Sequence, residues 1–363
     1  SRTAGAAYLD VESDLTSKWL VGAAARFENF SDFGSKATGK LTSRFAATEN
    51  FAIRGAASTG FRAPSLQQSY FTSTATTFVN GLPVDIKTLP VDSKEARLLG
   101  ASDLKPESSV NLSGGITMQP TKSLTVTADY YDIAISDRVV LSENFIGTGV
   151  VNFFAQNGLT GVGGGRYFTN AINTKTKGLD VVVNYGLDLK ANGIVRLTAG
   201  YNQNRTKVTK VVVNTPAQLG NLNETLFGRA ERGRIELGQP RNNLVLNGTY
   251  ERGDLSLSLR GQRFGQVTGV QALATGTARQ VPNLELSPKF ITDVSASYKV
   301  LKRATLTLGL DNMFDVYPDA IKDLGDVAAG YSGQGTYGVY RFSGLSPFGF
   351  NGRYMYARVS FGL

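Results

Sequence analysis

The chain has 363 residues, a formal net charge of +9, 41 glycines, 10% aromatic residues and neither histidine nor cysteine. Without His or Cys there are no Ser-His or Cys-His nucleophile pairs, no Cys- or His-ligated zinc, no haem or iron–sulfur ligation and no disulfide. No run of about 20 apolar residues is present, which excludes a membrane-spanning helix, and the basic residues are scattered along the chain, which argues against nucleic acid as a partner.

Period-two alternation repeats from end to end in pieces of about ten residues. Taken in order, it predicts thirteen strands, over 2–13, 16–29, 36–47, 50–60, 107–118, 122–137, 171–187, 193–206, 242–251, 254–267, 288–299, 302–312 and 352–363. The first residues, SRTAGAAYLDVES, already alternate, so any targeting signal is expected upstream or removed. In the strand at 171–187, Leu179, Val181, Val183 and Tyr185 oppose Gly178, Asp180 and Asn184. Leu255, Leu257 and Leu259 oppose Ser256, Ser258 and Arg260, and Leu306, Leu308 and Leu310 oppose Thr305, Thr307 and Asp311. Each strand therefore has one apolar face and one polar, glycine-rich face.

The connections carry the topology. Short turns at DLTS, TEN, QPTK, DLKANG, ERGD and LKR alternate with connections that are mostly long, at 61–106, 138–170, 207–241, 268–287 and 313–351. A soluble sandwich uses shorter strands and does not place every long excursion at one end. An outer-membrane barrel does both, with its apolar faces on lipid, its polar faces on a wet or plugged lumen and its long loops outside the cell. The expected fold class is all-β, an antiparallel transmembrane β-barrel.

Several stretches resemble the barrel of TonB-dependent outer-membrane receptors, and they occur in that family's order. AIRGAASTGFRAPSLQQSYF is similar to its mid-barrel stretch, LKPESSVNLSGGI to its L-K-P-E strand start, and LTVTADYYDIAISDRV to its aromatic strand. TKGLDVVVNYGL resembles the following strand, with Asp180 where glutamate is common; LTLGLDNMFDVYP resembles the N-L-F-D hallmark, with Met313 for leucine; SPFGFNGRYMYARVSFGL resembles the closing strand, ending in Leu363 where many end in phenylalanine. The resemblance implies that 1–363 is the C-terminal portion of the barrel, about 13 of about 22 strands, with the plug domain and energy-coupling segment absent from this chain. It implies as partners TonB, reached through an upstream segment, the plug and remaining strands, outer-membrane lipid and lipopolysaccharide, and a small-molecule cargo, with no cofactor.

Within that frame the lumen-facing, plug-facing charges are expected to be Arg44, Arg54, Arg62, Asp129, Asp180, Arg196, Arg260 and Arg358, with Arg26, Glu28, Lys40 and Asp293 in the same alternation. Gly60 and Pro64 end a strand where the chain leaves the wall, since proline cannot continue a ladder. Ligand-binding candidates are the loop aromatics and arginines Tyr70, Phe71, Phe78, Phe153, Phe154, Arg166, Tyr167, Tyr331, Tyr337, Tyr340 and Arg341, because aromatic faces with guanidinium groups suit anionic iron chelates and, almost as well, sugars. Loop-to-loop packing or lipopolysaccharide contact is the competing role for each. GVGGGR at 161–166 follows no parallel strand and opens no helix, so it reads as loop glycine and not a phosphate cradle.

The expected function is non-enzymatic uptake of a scarce nutrient across the outer membrane of a Gram-negative bacterium, a ferric siderophore or other iron chelate, by TonB-coupled plug displacement. The alternatives are a passive porin, or TonB-dependent uptake of a carbohydrate or cobalamin. An enzyme barrel is disfavoured, with no histidine and no acidic cluster at the strand ends.

Overall fold

A computed structural model describes residues 2–79, 82–212, 227–270, 283–321 and 341–362. The chain opens with β1 (Ala4–Thr16), β2 (Trp19–Phe30), β3 (Gly34–Thr48) and β4 (Phe51–Arg62), followed by α1 (Leu66–Tyr70), β5 (Ser73–Val79), β6 (Leu82–Leu89) and α2 (Lys94–Leu98). Next come β7 (Glu107–Thr121), β8 (Leu124–Leu141), β9 (Phe145–Ile146), α3 (Thr148–Gln156), β10 (Gly164–Asp188), β11 (Ile194–Val211) and α4 (Arg229–Glu236). The chain ends with β12 (Asn242–Arg252), β13 (Leu255–Phe264), β14 (Val267–Gly269), β15 (Leu284–Leu286), β16 (Lys289–Leu301), β17 (Ala304–Asp311) and β18 (Tyr354–Phe361).

Thirteen of these strands form one antiparallel wall in the order β1-β2-β3-β4-β7-β8-β10-β11-β12-β13-β16-β17-β18, the thirteen that alternation predicts. Consecutive wall strands are neighbours throughout, and all the long connections leave from one end. At the other end the turns are tight, with Gly193 (φ 100°) and Gly253 (φ 57°) supplying the left-handed conformation that β10–β11 and β12–β13 need to reverse.

Register keeps the two faces apart across many strands, because a one-residue slip would exchange them. One hydrogen-bonded row runs Arg44, Arg54, Gly115, Asp129, Asp180, Asn202, Asn243. The adjacent row runs Trp19, Phe45, Ile53, Ile116, Ala128, Val181, Tyr201, Leu244. Apolar side chains on the second face stay uncovered by protein: Ile53 is 50% exposed, Leu308 55% and Phe361 74%. Apolar surface left bare over so many strands needs a lipid solvent.

The apolar core lies in the loops beyond the wall. Leu89, Ala96, Leu99, Phe145, Val150, Phe154, Tyr167, Ile172 and Phe227 pack together there. The alternation starts the seventh wall strand at 171, whereas β10 begins seven residues earlier, at Gly164. Its extension pairs in parallel with β6 and antiparallel with β8 and β9. These extra pairings carry the loops as an ordered cap on the barrel wall.

The turn after β17 explains the N-M-F-D motif. Asn312 (φ 50°) and Asp315 (φ 56°) are left-handed, as their short polar side chains allow. Asn312 Oδ1 accepts from Val316 N at 2.9 Å, its Nδ2 donates to Val316 O at 2.8 Å, and Asp315 Oδ1 accepts from Arg353 N at 2.8 Å. The motif seats the last long connection on the wall.

Candidate functional site

The register puts Arg44, Arg54, Arg62, Asp129, Asp180, Arg196, Arg260 and Arg358 on one and the same face of the wall, the polar one, and most are engaged within it. Arg54 donates from Nε to Asp129 Oδ1 at 2.8 Å and from Nη2 to Oδ2 at 2.5 Å. β7 lies between them, and Gly115 is the residue they cross. A Cβ at Gly115 would sit 2.6 Å from Ala128 O and clash with the Asp129 carboxylate. The glycine is therefore required by the ion pair passing over it.

The same device recurs along the polar face. Tyr131 covers Gly178 and Tyr356 covers Gly309, each aromatic filling the space its cross-strand glycine leaves. Asn202 Nδ2 donates to Asp180 Oδ1 at 2.5 Å and reaches Tyr131 Oη at 3.5 Å. Arg196 pairs with Glu251 at 2.6 Å, Arg260 donates to Gln262 at 2.8 Å and stands 4.0 Å from Asp293, and the Arg358 guanidinium lies 5.7 Å from the Tyr356 ring centre. Arg44 lies in a cleft with Glu12, Thr42, Arg54, Ser113 and Asp129.

Arg62 has a more specific role than a lumen charge. It forms a bidentate pair with Glu107, the glutamate of the L-K-P-E stretch, which is buried and also accepts from Val139 N at 2.7 Å. The GFRAP and LKPE stretches are thus two halves of one clamp closing the 63–106 excursion where it leaves and rejoins the wall.

Gly115→Val is expected to destabilise the folded barrel by about 1–3 kcal/mol through overpacking and loss of the Arg54–Asp129 pair. Gly114→Val is the control, since a Cβ there meets nothing closer than Arg54 O at 4.0 Å. Urea midpoints in detergent check this: a midpoint for Gly115→Val equal to that of Gly114→Val contradicts it.

The loop candidates divide by burial. Tyr70 and Phe71, at the end of α1, are 60% and 48% exposed, and Phe78 lies on β5. Phe153 is half-buried against the loop core, while Phe154 and Tyr167 are wholly inside it. Tyr167 stacks on Phe145 at 5.7 Å and donates from Oη to Leu99 O at 2.9 Å. These two positions correct the sequence expectation: their rings are occupied by packing and present no face to a ligand.

Arg166 donates from Nε to Thr88 Oγ1 at 3.1 Å, joining β10 to β6. Tyr331, Tyr337 and Tyr340 lie outside the described residues. Arg341 stands 5.4 Å from the Phe342 ring centre, and Phe342 stacks with Tyr317 at 5.7 Å and Phe350 at 6.2 Å. Sequence reasoning passed over Tyr317, Phe342 and Phe350. The aromatic spacing in YRFSGLSPFGF was the available signal. With Phe350 half-exposed, the group is an aromatic surface carrying a cation.

Two loop carboxylates face each other across the cap. Burial pushes the Glu143 carboxyl above the usual carboxylate range, and the charge of Glu231 pushes it further, against the backbone N–H groups of Ala230 and Glu231 and the Arg234 charge. Burial likewise raises Glu231, opposed by Arg234 and Arg166. A carboxyl raised in the folded state contributes stability below its unfolded pKa of about 4.3 and loses it as pH rises through the folded value. Amides of 143–156 and 229–236 should therefore exchange faster relative to the wall as pH rises, after correction for intrinsic rates. The double variant Glu143→Gln, Glu231→Gln should flatten that trend, and an unchanged trend refutes the coupling.

An open apolar depression on the other face is lined by Leu197, Tyr250, Leu257, Leu259, Leu308 and Met355. These are wall side chains of the lipid-facing rows, so the depression is barrel exterior and not a cargo site.

Residues 1–313 match the family model described as TonB dependent receptor-like, beta-barrel. Transferrin-binding protein A of Neisseria meningitidis serogroup B is 24% identical over 264 residues, 71% of this chain and 25% of that protein. The crystal structure of the siderophore receptor PirA from Acinetobacter baumannii aligns with a TM-score of 0.64 at 15% identity, covering 99% of this chain and 46% of that one. A mutant of the ferric enterobactin receptor PfeA from Pseudomonas aeruginosa aligns with a TM-score of 0.64 at 16% identity, covering 99% and 45%. The chain thus spans a quarter of the curated relative and under half of each solved receptor. Matched by the family model over most of its length and built as an antiparallel wall with one polar and one lipid-facing side, this chain belongs to the TonB-dependent receptor β-barrel family.

Proposed function

We propose that the chain is the C-terminal portion of the barrel of an outer-membrane receptor that takes up a scarce nutrient, a ferric siderophore or related iron chelate, by TonB-coupled displacement of a plug. The observation that carries this reading is the polar face. Its ion pairs and amide bonds, from Arg54–Asp129 to Arg196–Glu251, offer a moving plug a surface whose contacts are remade without apolar repacking. β1 and β18 each have a single strand neighbour among the described residues. Open edges in a bilayer leave backbone groups unsatisfied at several kcal/mol each, so further strands close the barrel.

Outside the cell, the cap presents Tyr70, Phe71, Phe153 and the Arg341–Phe342 group to cargo, while Arg166 braces it. Rings with a guanidinium suit an aromatic, anionic chelate by stacking and charge pairing. Siderophore receptors among the structural neighbours point the same way. The test is uptake of radiolabelled ferric siderophores by iron-starved cells carrying the full-length receptor. Saturable uptake abolished by loss of TonB or of the proton-motive force supports the reading. Non-saturable uptake indifferent to both is the porin outcome and refutes it.

A further inference from the structure

Beyond the wall, the cap carries a sheet of its own in the order β5-β6-β10-β9. Its two edges differ. β9 is two residues long and gives way to α3, so little of it is open to pairing. β5 runs seven residues, pairs with β6 without a bulge and has no strand on its other side among the described residues. Open edge strands are normally blunted by lysine, proline, a bulge or shortness. The β5 sequence, STATTFV, has neither charge nor proline, and its threonines, phenylalanine and valine favour an extended chain.

The phase of the hairpin fixes which backbone groups are open. Val79 pairs with Leu82 across a two-residue connection, and residues flanking such a connection exchange both backbone bonds. The bonded pairs are then Val79–Leu82, Thr77–Val84, Ala75–Ile86 and Ser73–Thr88, while Phe78–Pro83, Thr76–Asp85 and Thr74–Lys87 turn their backbone groups away from each other. Pro83, with no N–H to give, falls in the second set, as this phase requires. Thr74 and Thr76 therefore direct N–H and C=O outward from the sheet edge, where they meet no partner among the described residues. Both are exposed. The strand is nonetheless held in place: Thr76 Oγ1 donates to Asp85 Oδ1 at 2.7 Å, and Ile86 and Thr88, on the opposite face of β6, are buried.

The spacing of the open groups identifies what fits them. Donor and acceptor recur together every second residue, about 6.8 Å along the strand, a repeat that a polypeptide backbone matches and a chelate or a sugar does not. Side chains beside Thr74 and Thr76 would meet hydroxyls, which pair with hydroxyl and β-branched neighbours. We propose that the free edge of β5 binds another protein by strand addition, taking an extended, uncharged segment of it as a further strand of the cap sheet. The partner reaches this edge from outside the cell, on the sidedness proposed above.

The probe is a fluorescent peptide, acetyl-Lys-Thr-Val-Thr-Val-Thr-Lys-amide, N-methylated at alternate residues so that one bonding edge remains and self-association is blocked. It should bind saturably to the full-length receptor in mild detergent, read by anisotropy, with folding verified by heat-modifiable gel migration. Hydrogen exchange should show the Thr74 and Thr76 amides gaining protection on binding, while that of Ala75, already bonded to β6, stays unchanged. Thr76→Pro removes one open donor and none of the backbone bonds to β6, and should weaken binding about fivefold. Thr74→Lys, Thr76→Lys should abolish it, whereas Gln156→Lys, Thr160→Lys, at exposed positions elsewhere on the cap, should match wild type. If Thr76→Pro fails to fold, the lysine pair and the exchange pattern decide. Absence of binding, equal binding of the peptide N-methylated at every residue, or binding without protection at Thr74 and Thr76 overturns the proposal. A dimer of the peptide-free receptor that the lysine pair dissociates assigns the edge to a second copy and overturns the partner named here. Intact cells separate the two readings: binding in detergent but not to cells refutes the sidedness and leaves the edge standing, whereas uptake of cargo by a receptor that binds no peptide refutes the edge alone.

Discussion

Phe154→Ala is expected to cost the loop cap about 3–5 kcal/mol, the usual range for removing a buried phenylalanine. The ring is fully buried on α3 among Phe145, Val150, Leu99 and Tyr167, and the cluster touches the wall only at the outer ends of β10 and β11, through Tyr167, Ala171, Ile172 and Val208. Hydrogen exchange should show amides of 89–101, 145–172 and 227–235 losing protection together while β12 to β18 stay protected. Tyr70→Ala, at an exposed ring, should change stability by no more than about 0.5 kcal/mol and act on cargo binding instead. A Phe154→Ala protein with unaltered loop protection and weakened cargo binding would restore this residue to the ligand surface and remove it from the core.

Leu308→Arg should impair folding far more than Thr307→Arg, although the two positions are adjacent. Leu308 is opposite Ala296 and Ala357 on the bare apolar face, whereas Thr307 shares a hydrogen bond of 2.8 Å with Ser297 on the polar face and stands opposite Arg358. Arginine on the lipid side near the midplane costs about 2–4 kcal/mol, and on the lumen side it meets water or polar groups. Folding yield into vesicles, read by heat-modifiable migration, separates them. Equal yields would mean the register of β17 is misassigned.

The wall was legible because a strand half in lipid must alternate, and alternation survives in the sequence wherever the chain crosses. All thirteen crossings follow from it, with boundaries displaced by up to seven residues, the most at the start of β10. That Arg54, Asp129, Asp180 and Arg260 share one face of the wall follows for the same reason. The loops were less legible. Helices of five residues such as α1 and α2 are too short for a 3.6-residue period to show, and their caps, Ser65 and Ser93, read equally well as turn residues. Phe154 and Tyr167 look like surface aromatics in sequence because their burial comes from contacts with Leu99 and Phe227, far along the chain. The Asp132–Lys175–Lys177 group was hidden by the alternation itself. Its charges lie in the apolar register, and only the cross-strand pairing reveals that Asp132 on β8 stands 3.1 Å from Lys175 and 3.4 Å from Lys177 on β10.

The plugged-barrel account is tested most directly by photo-crosslinking in the full-length receptor, with a benzophenone amino acid placed at Ser113 or at Ile116. Ser113 lines the polar cleft beside Arg54 and Asp129, while Ile116 lies in the apolar row between Ile53 and Ala128. The account predicts an intramolecular adduct from position 113 to the segment preceding the barrel, diminished when cargo and TonB are both present, and lipid adducts from position 116. Lipid adducts from 113, or no protein adduct from it under any condition, would contradict the account.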